Sequence, residues 1–160
     1  MSAGAFWGRV VTATAVAVSL GLALSPPQPR LRVSITLAVA LGAAAGLALF
    51  VAASRRRPGF RCSRASSSIG RQLFLGLCAA NEEVVWRRTL LGELLPAGAL
   101  VALAVSSAGF GLAHRQARLL HVGTGSAFGV LYLATGFLGA SIAAHWVYNA
   151  SVGSVLERPP

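Results

Sequence analysis

VSITLAVALGAAAGLALFVAA, residues 33–53, holds no charged side chain and runs straight into Ser54-Arg55-Arg56-Arg57. A helix of about 20 apolar residues spans the roughly 30 Å hydrocarbon core of a bilayer. The stretch therefore predicts a transmembrane helix with its arginine end at an interface. Outward from it lie five more apolar segments, at about 6–25, 72–94, 97–119, 121–137 and 139–156. Pro26-Pro27, Pro96, the Arg115–Arg118 stretch and Gly136/Gly139 mark breaks between them. The expected fold is all-α, a polytopic transmembrane helix bundle of about six spans. Residues 1–53 give two N-terminal helices, 54–71 an arginine-rich loop, 72–156 a core of four helices and 157–160 a short tail. Segment 6–25 has an alternative reading as a signal peptide, with Arg9, an apolar core and small residues near Ala23-Leu24-Ser25. Its length, and the second span just after it, favour a retained helix.

Composition agrees. Of 160 residues 55% are hydrophobic and 11% charged, with mean hydropathy +0.68; soluble domains carry about 25% charged residues. There are too few charges here for the polar skin of a soluble domain, so a lipid bilayer is the expected surrounding. The net charge is +10, and all 14 basic residues are arginine. The arginines fall between apolar segments and read as topology signals, so no nucleic-acid partner is expected. With the N-terminus in the cytoplasm, ten arginines lie on the inner side and only Arg30 and Arg32 on the outer. Both termini are then cytoplasmic, and the Ala-, Gly- and Arg-rich usage points to a bacterial inner membrane. Cys62 and Cys78 form no disulfide framework.

Ionisable groups inside spans cost about 2.5–3.5 kcal/mol each on insertion scales and mark candidate functional sites. Two of the four acids, Glu82 and Glu83, stand side by side in the third segment. Glu83 and Arg87 are i and i+4, the favourable order for a helical ion pair. Glu82 points about 100° away around the helix, so it is the acid left for chemistry. His145 and Asn149 share one side of the last helix, and Phe110 and His114 share a face of the fourth. Three helices can thus bring a carboxylate and an imidazole, able to activate a water, opposite an imidazole and an amide able to hold an oxyanion. Taken one at a time, His145 and Asn149 read more simply as polar glue between helices. His121, near a loop and outside any spacing, reads as structural; Trp86, Trp146, Tyr132 and Tyr148 read as packing, and Arg88 and Glu93 as interfacial anchors.

Glu82-Glu83-Val-Val-Trp-Arg87, Phe110-Gly-Leu-Ala-His114 and His145-Trp-Val-Tyr-Asn149 resemble, in order, three motifs of one family. These are the E-E-x-x-x-R, F-x-x-x-H and H-x-x-x-N motifs of the CAAX protease and bacteriocin-processing family of glutamic intramembrane endopeptidases. The resemblance covers about residues 72–156 and extends to myxosortase-like sorting proteases. It implies that Glu82 and His114 activate the water, that Glu83 and Arg87 support them, and that His145 and Asn149 form the oxyanion hole. It implies no cofactor. Glu82, His114 and His145 can be drawn as zinc ligands, but no H-E-x-x-H spacing supports a metal. The family usually has Gly where this chain has Arg88, and eight helices rather than six. The implied activity is cleavage of a membrane-anchored protein or peptide, in maturation or C-terminal sorting. A non-catalytic immunity or scaffold protein and a small transporter or proton relay are the alternatives. One geometric condition follows. Glu82 lies about 16 Å along its helix from Arg71, so the fourth helix is expected to run past His114 to about 119 for the two to meet.

Overall fold

The computed structural model describes residues 3–55 and 69–156, and every regular element in them is helical. Most of the arginine-rich loop, with Cys62, and the tail with Arg158 lie outside the described residues. Six helices follow one another. Helix α1 is Ala3–Ala23 and α2 is Ile35–Arg55. Helix α3 is Ile69–Glu83, continued by a π-helical stretch, Val84–Leu91, and a last turn, Gly92–Leu94. Then come α4 (Ala99–Ala113), α5 (Arg118–Thr135) and α6 (Leu138–Leu156). The apolar segments of the sequence thus become helices, with most ends displaced by a few residues.

The breaks have local causes. Pro96 sits in a 3-10 turn, Leu95–Ala97, and Gly98 at φ 110 turns the chain into α4. Gly136 at φ 69 caps α5, its N–H donating to the Tyr132 carbonyl at 2.8 Å.

One boundary differs in a way that matters. Helix α4 does not run to about 119. It stops at Ala113, and His114 is already extended at φ −93, ψ 126. At 1.5 Å per residue its 15 residues reach about 22 Å, short of a roughly 30 Å hydrocarbon core. The cause is the tight α4–α5 hairpin. A Cβ at Gly111 would strike the Val122 side chain and the Arg118 carbonyl, so α5 already lies against α4 at its last turn. Four residues, with Ala117 in the left-handed region at φ 51, close the hairpin.

Two packing contacts hold the bundle around α6. Helix α2 lies backbone to backbone on it: a Cβ at Gly42 or Gly46 would run into the Ala140 or Ala144 carbonyl. Small residues four apart on both helices allow this approach. Phe128, Ala144 and Tyr148 form one buried cluster, with Leu49, Phe50 and Leu131 around it. Leu91, Ala102 and Tyr132 form another near the α3–α4 connection. Helix α1 is tied to α3 by a 2.8 Å hydrogen bond from Asn81 to Thr14.

The outer surface is apolar: Leu22, Leu100 and Leu119 are each more than four-fifths exposed. Residues 35–53, with mean hydropathy 2.3, are long and apolar enough to cross a membrane alone; 10–23 and 99–113 are shorter apolar helices.

Candidate active site

Glu83 is the anchor. It is fully buried, and its carboxylate meets two partners on different helices. Arg87 Nε lies 3.2 Å from Oε2, the i, i+4 pair expected from spacing, and His145 Nδ1 lies 2.8 Å from Oε1. Removing a charge from water is costly unless it is paired and hydrogen-bonded. Arg87, also fully buried, donates from Nη2 to the Gly125 carbonyl at 2.9 Å. Its guanidinium lies over the Phe110 ring at 4.7 Å and the Phe128 ring at 5.7 Å. A Cβ at Gly125 would stand 3.0 Å from Phe110 and 3.4 Å from Arg87 Nη2, so a glycine keeps that seat open.

Glu82 is separate from this pair. Its side chain is 37% exposed, against none of Glu83's, and Oε2 faces two imidazoles. His114 Nε2 stands at 3.9 Å and His145 Nε2 at 3.8 Å. The expected separation of the two glutamates therefore appears: one is sequestered and one faces the histidines. The helix ladder widens just after them, from Val84 to Leu91. Such π-helical turns are frequent at functional sites. Within that wider turn Ser106 Oγ donates to the Trp86 carbonyl at 2.7 Å, fastening α3 to α4.

His114 reaches Glu82 although its helix has ended. The shortened α4 brings the turn itself to the level of Glu82, so no helical extension is needed. His114 Nδ1 is 2.7 Å from the Phe110 carbonyl. A carbonyl only accepts, so Nδ1 carries a proton, and it is Nε2 that faces Glu82.

His145 and Asn149 lie four apart on the unbroken α6. His145 makes a contact that helical spacing does not show: its Nδ1 reaches Glu83, and its ring stacks on Phe128 at 4.8 Å. The buried Glu83 carboxylate thus has an ion pair to Arg87 at one oxygen and His145 at the other. Asn149 follows one turn later, half-buried, without a hydrogen bond to the cluster among the described residues.

His121, whose sequence position suggests a structural role, belongs to the cluster. Its ring stacks on His114 with centroids 3.8 Å apart and planes 19° apart. No i, i+4 signal links the two, because one lies beyond the end of α4 and the other inside α5.

Metal-ligand geometry does not emerge. Among the described residues no three of His, Cys, Asp and Glu form a group able to hold a metal ion. The separations of 3.8–3.9 Å also exceed the roughly 3.3 Å edge of a tetrahedral zinc site with bonds of about 2.0–2.1 Å.

Residues 66–151, more than half of the chain, match the family described as Type II CAAX prenyl endopeptidase Rce1-like. The match takes in α3 to most of α6, and with them every residue of this cluster; α1 and α2 lie outside it. No curated protein and no solved structure matches the chain.

Proposed function

The chain belongs to the Rce1-like family of type II CAAX prenyl endopeptidases, and on that premise we propose that it is a glutamic intramembrane endopeptidase. The observation that carries the reading is Glu82 Oε2 facing the Nε2 atoms of His114 and His145 at under 4 Å, beside a buried Glu83–Arg87 ion pair.

Glu82 and His114 present two acceptors to one another across 3.9 Å. A water about 2.8 Å from each would subtend roughly 90°, close to its own H–O–H angle, and would donate to both. Glu82 takes one proton as the water oxygen attacks the scissile carbonyl carbon. The oxyanion that forms accepts from His145 Nε2 and from the Asn149 amide. His145 donates through Nε2 only as imidazolium, and the Glu83 carboxylate at Nδ1 is its counter-charge, the arrangement of a base oriented by a buried acid. The tetrahedral centre then expels the amine, which leaves with the proton Glu82 had taken. No cofactor takes part in this sequence.

The apolar exterior supports a bundle in a membrane, and the composition and the arginine bias favour a bacterial inner membrane with both termini cytoplasmic. An apolar groove between α2 and α5, lined by Leu49, Ala53, Leu120 and Gly123, flanks the helix that carries His121. It suits an apolar chain lying in the membrane. The bacterial character of the composition favours an anchored protein tail, cut in maturation or C-terminal sorting, over a prenylated terminus.

The test uses the full chain in phospholipid nanodiscs with two quenched fluorogenic probes: a farnesylated CAAX peptide, and a peptide with one apolar span and an arginine tail. Cleavage of either, abolished by Glu82→Gln at unchanged protein abundance, is the expected result. Turnover by Glu82→Gln equal to wild type overturns the reading.

A further inference from the structure

His114 carries a reacting nitrogen but lies on no helix. Its backbone is extended, and the next three residues turn back into α5. A side chain so placed has little to fix it except what its ring touches.

Three contacts do so. Nδ1–H donates to the Phe110 carbonyl at 2.7 Å. The Phe110 ring lies 4.6 Å away, tilted by 55°. The His121 ring stacks face to face at 3.8 Å and 19°. A single hydrogen bond leaves a ring free to swing about the bond, whereas a flat partner against its face removes that freedom. His121 is well seated for the task. It lies in the first turn of α5, its N–H donating to the Ala117 carbonyl at 3.1 Å. Its edge rests against Phe110 at 6.0 Å between centroids. Stacked faces share no hydrogen bond, so His121 hands no proton to His114.

We infer that His121 is a positioning residue: its ring is the platform that locks His114 as the Nδ1–H tautomer with Nε2 aimed at Glu82. The inference rests on the peptidase reading for its kinetic consequence, but its structural part stands apart from it. What it requires at position 121 is a flat aromatic face on a rigid helix, not an imidazole.

The experiment uses full-length protein labelled with 15N-histidine in phospholipid nanodiscs. The chain has three histidines, so single variants assign each resonance. Wild type and His121→Phe should both show His114 as the Nδ1–H tautomer. His121→Ala should show a tautomer mixture, at an unchanged unfolding midpoint. On whichever probe is cut, His121→Ala should lose kcat by about 10- to 100-fold, the scale of a misplacement near 1 Å, with KM within about twofold. His121→Phe should restore kcat, and His121→Asn should not. A single Nδ1–H tautomer with wild-type kcat in His121→Ala overturns the inference. So does a loss that tracks the unfolding midpoint, or rescue by Asn rather than Phe. Glu82→Gln is run beside them: if it still cuts, the peptidase reading fails while the tautomer measurement continues to judge the platform.

Discussion

The Glu83 carboxylate holds His145 Nδ1 at 2.8 Å across 62 residues of chain, linking the helix that carries both glutamates to the last helix of the bundle. That contact, with the Arg87 pair on the other edge, makes Glu83 the residue on which the rest of the cluster is hung. Glu82, next in sequence, stays accessible because its neighbour has absorbed the cation.

Arg87→Met tests the anchor. With no exposure at either partner, the substitution leaves Glu83 buried beside His145 alone. Breaking a buried pair from one side costs about 3–5 kcal/mol. The unfolding midpoint in detergent micelles should fall sharply, and abundance with it. The double variant Glu83→Gln/Arg87→Met should recover a large part of the loss, because no uncompensated charge remains.

Gly46→Val tests the platform under His145. The new side chain meets the Ala144 carbonyl, a backbone atom that cannot swing away, one residue before His145. Overpacking of this kind costs about 1–3 kcal/mol. Both the unfolding midpoint and the cleavage rate should fall, although residue 46 lies outside the stretch that matches the family.

Tyr132→Phe tests the opposite end of the bundle. The Tyr132 hydroxyl donates to Gln28 Oε1, and Gln28 Nε2 donates to the Pro26 carbonyl at 2.8 Å and the Arg88 carbonyl at 3.4 Å. This clasp holds the α1–α2 connection against the π-helical stretch. Loss of one such bond should lower stability by about 1 kcal/mol. Cleavage by the folded protein should be unchanged, because the hydroxyl lies outside the Glu82 cluster.

Much of this arrangement is legible in the amino-acid sequence. Apolar run length places six helices, and the i, i+4 spacing of Glu83 and Arg87 identifies both the ion pair and the glutamate left over. The features that escape do so for identifiable reasons. The end of α4 is decided by how closely α5 approaches at Gly111, a tertiary contact that apolarity alone does not encode. The π-helical turn follows Glu83 with no residue signature. The bond from His145 to Glu83 escapes because spacing orders residues within one helix, while that bond depends on how two helices face each other. His121 escapes because it shares a ring face, not a helix face, with His114.

The role of Glu82 as the base of a peptidase can be tested in cells. Wild type and Glu82→Gln would be expressed at equal abundance in the same deletion strain, and the C-terminal peptides of all membrane and secreted proteins quantified by mass spectrometry. The variant should accumulate, because residue 82 is partly exposed and carries none of the buried pairing that Glu83 does. At least one membrane-anchored protein should show a shortened terminus with wild type that is absent with Glu82→Gln. Identical termini in the two strains, while the phenotype of the deletion is rescued by both, would contradict it.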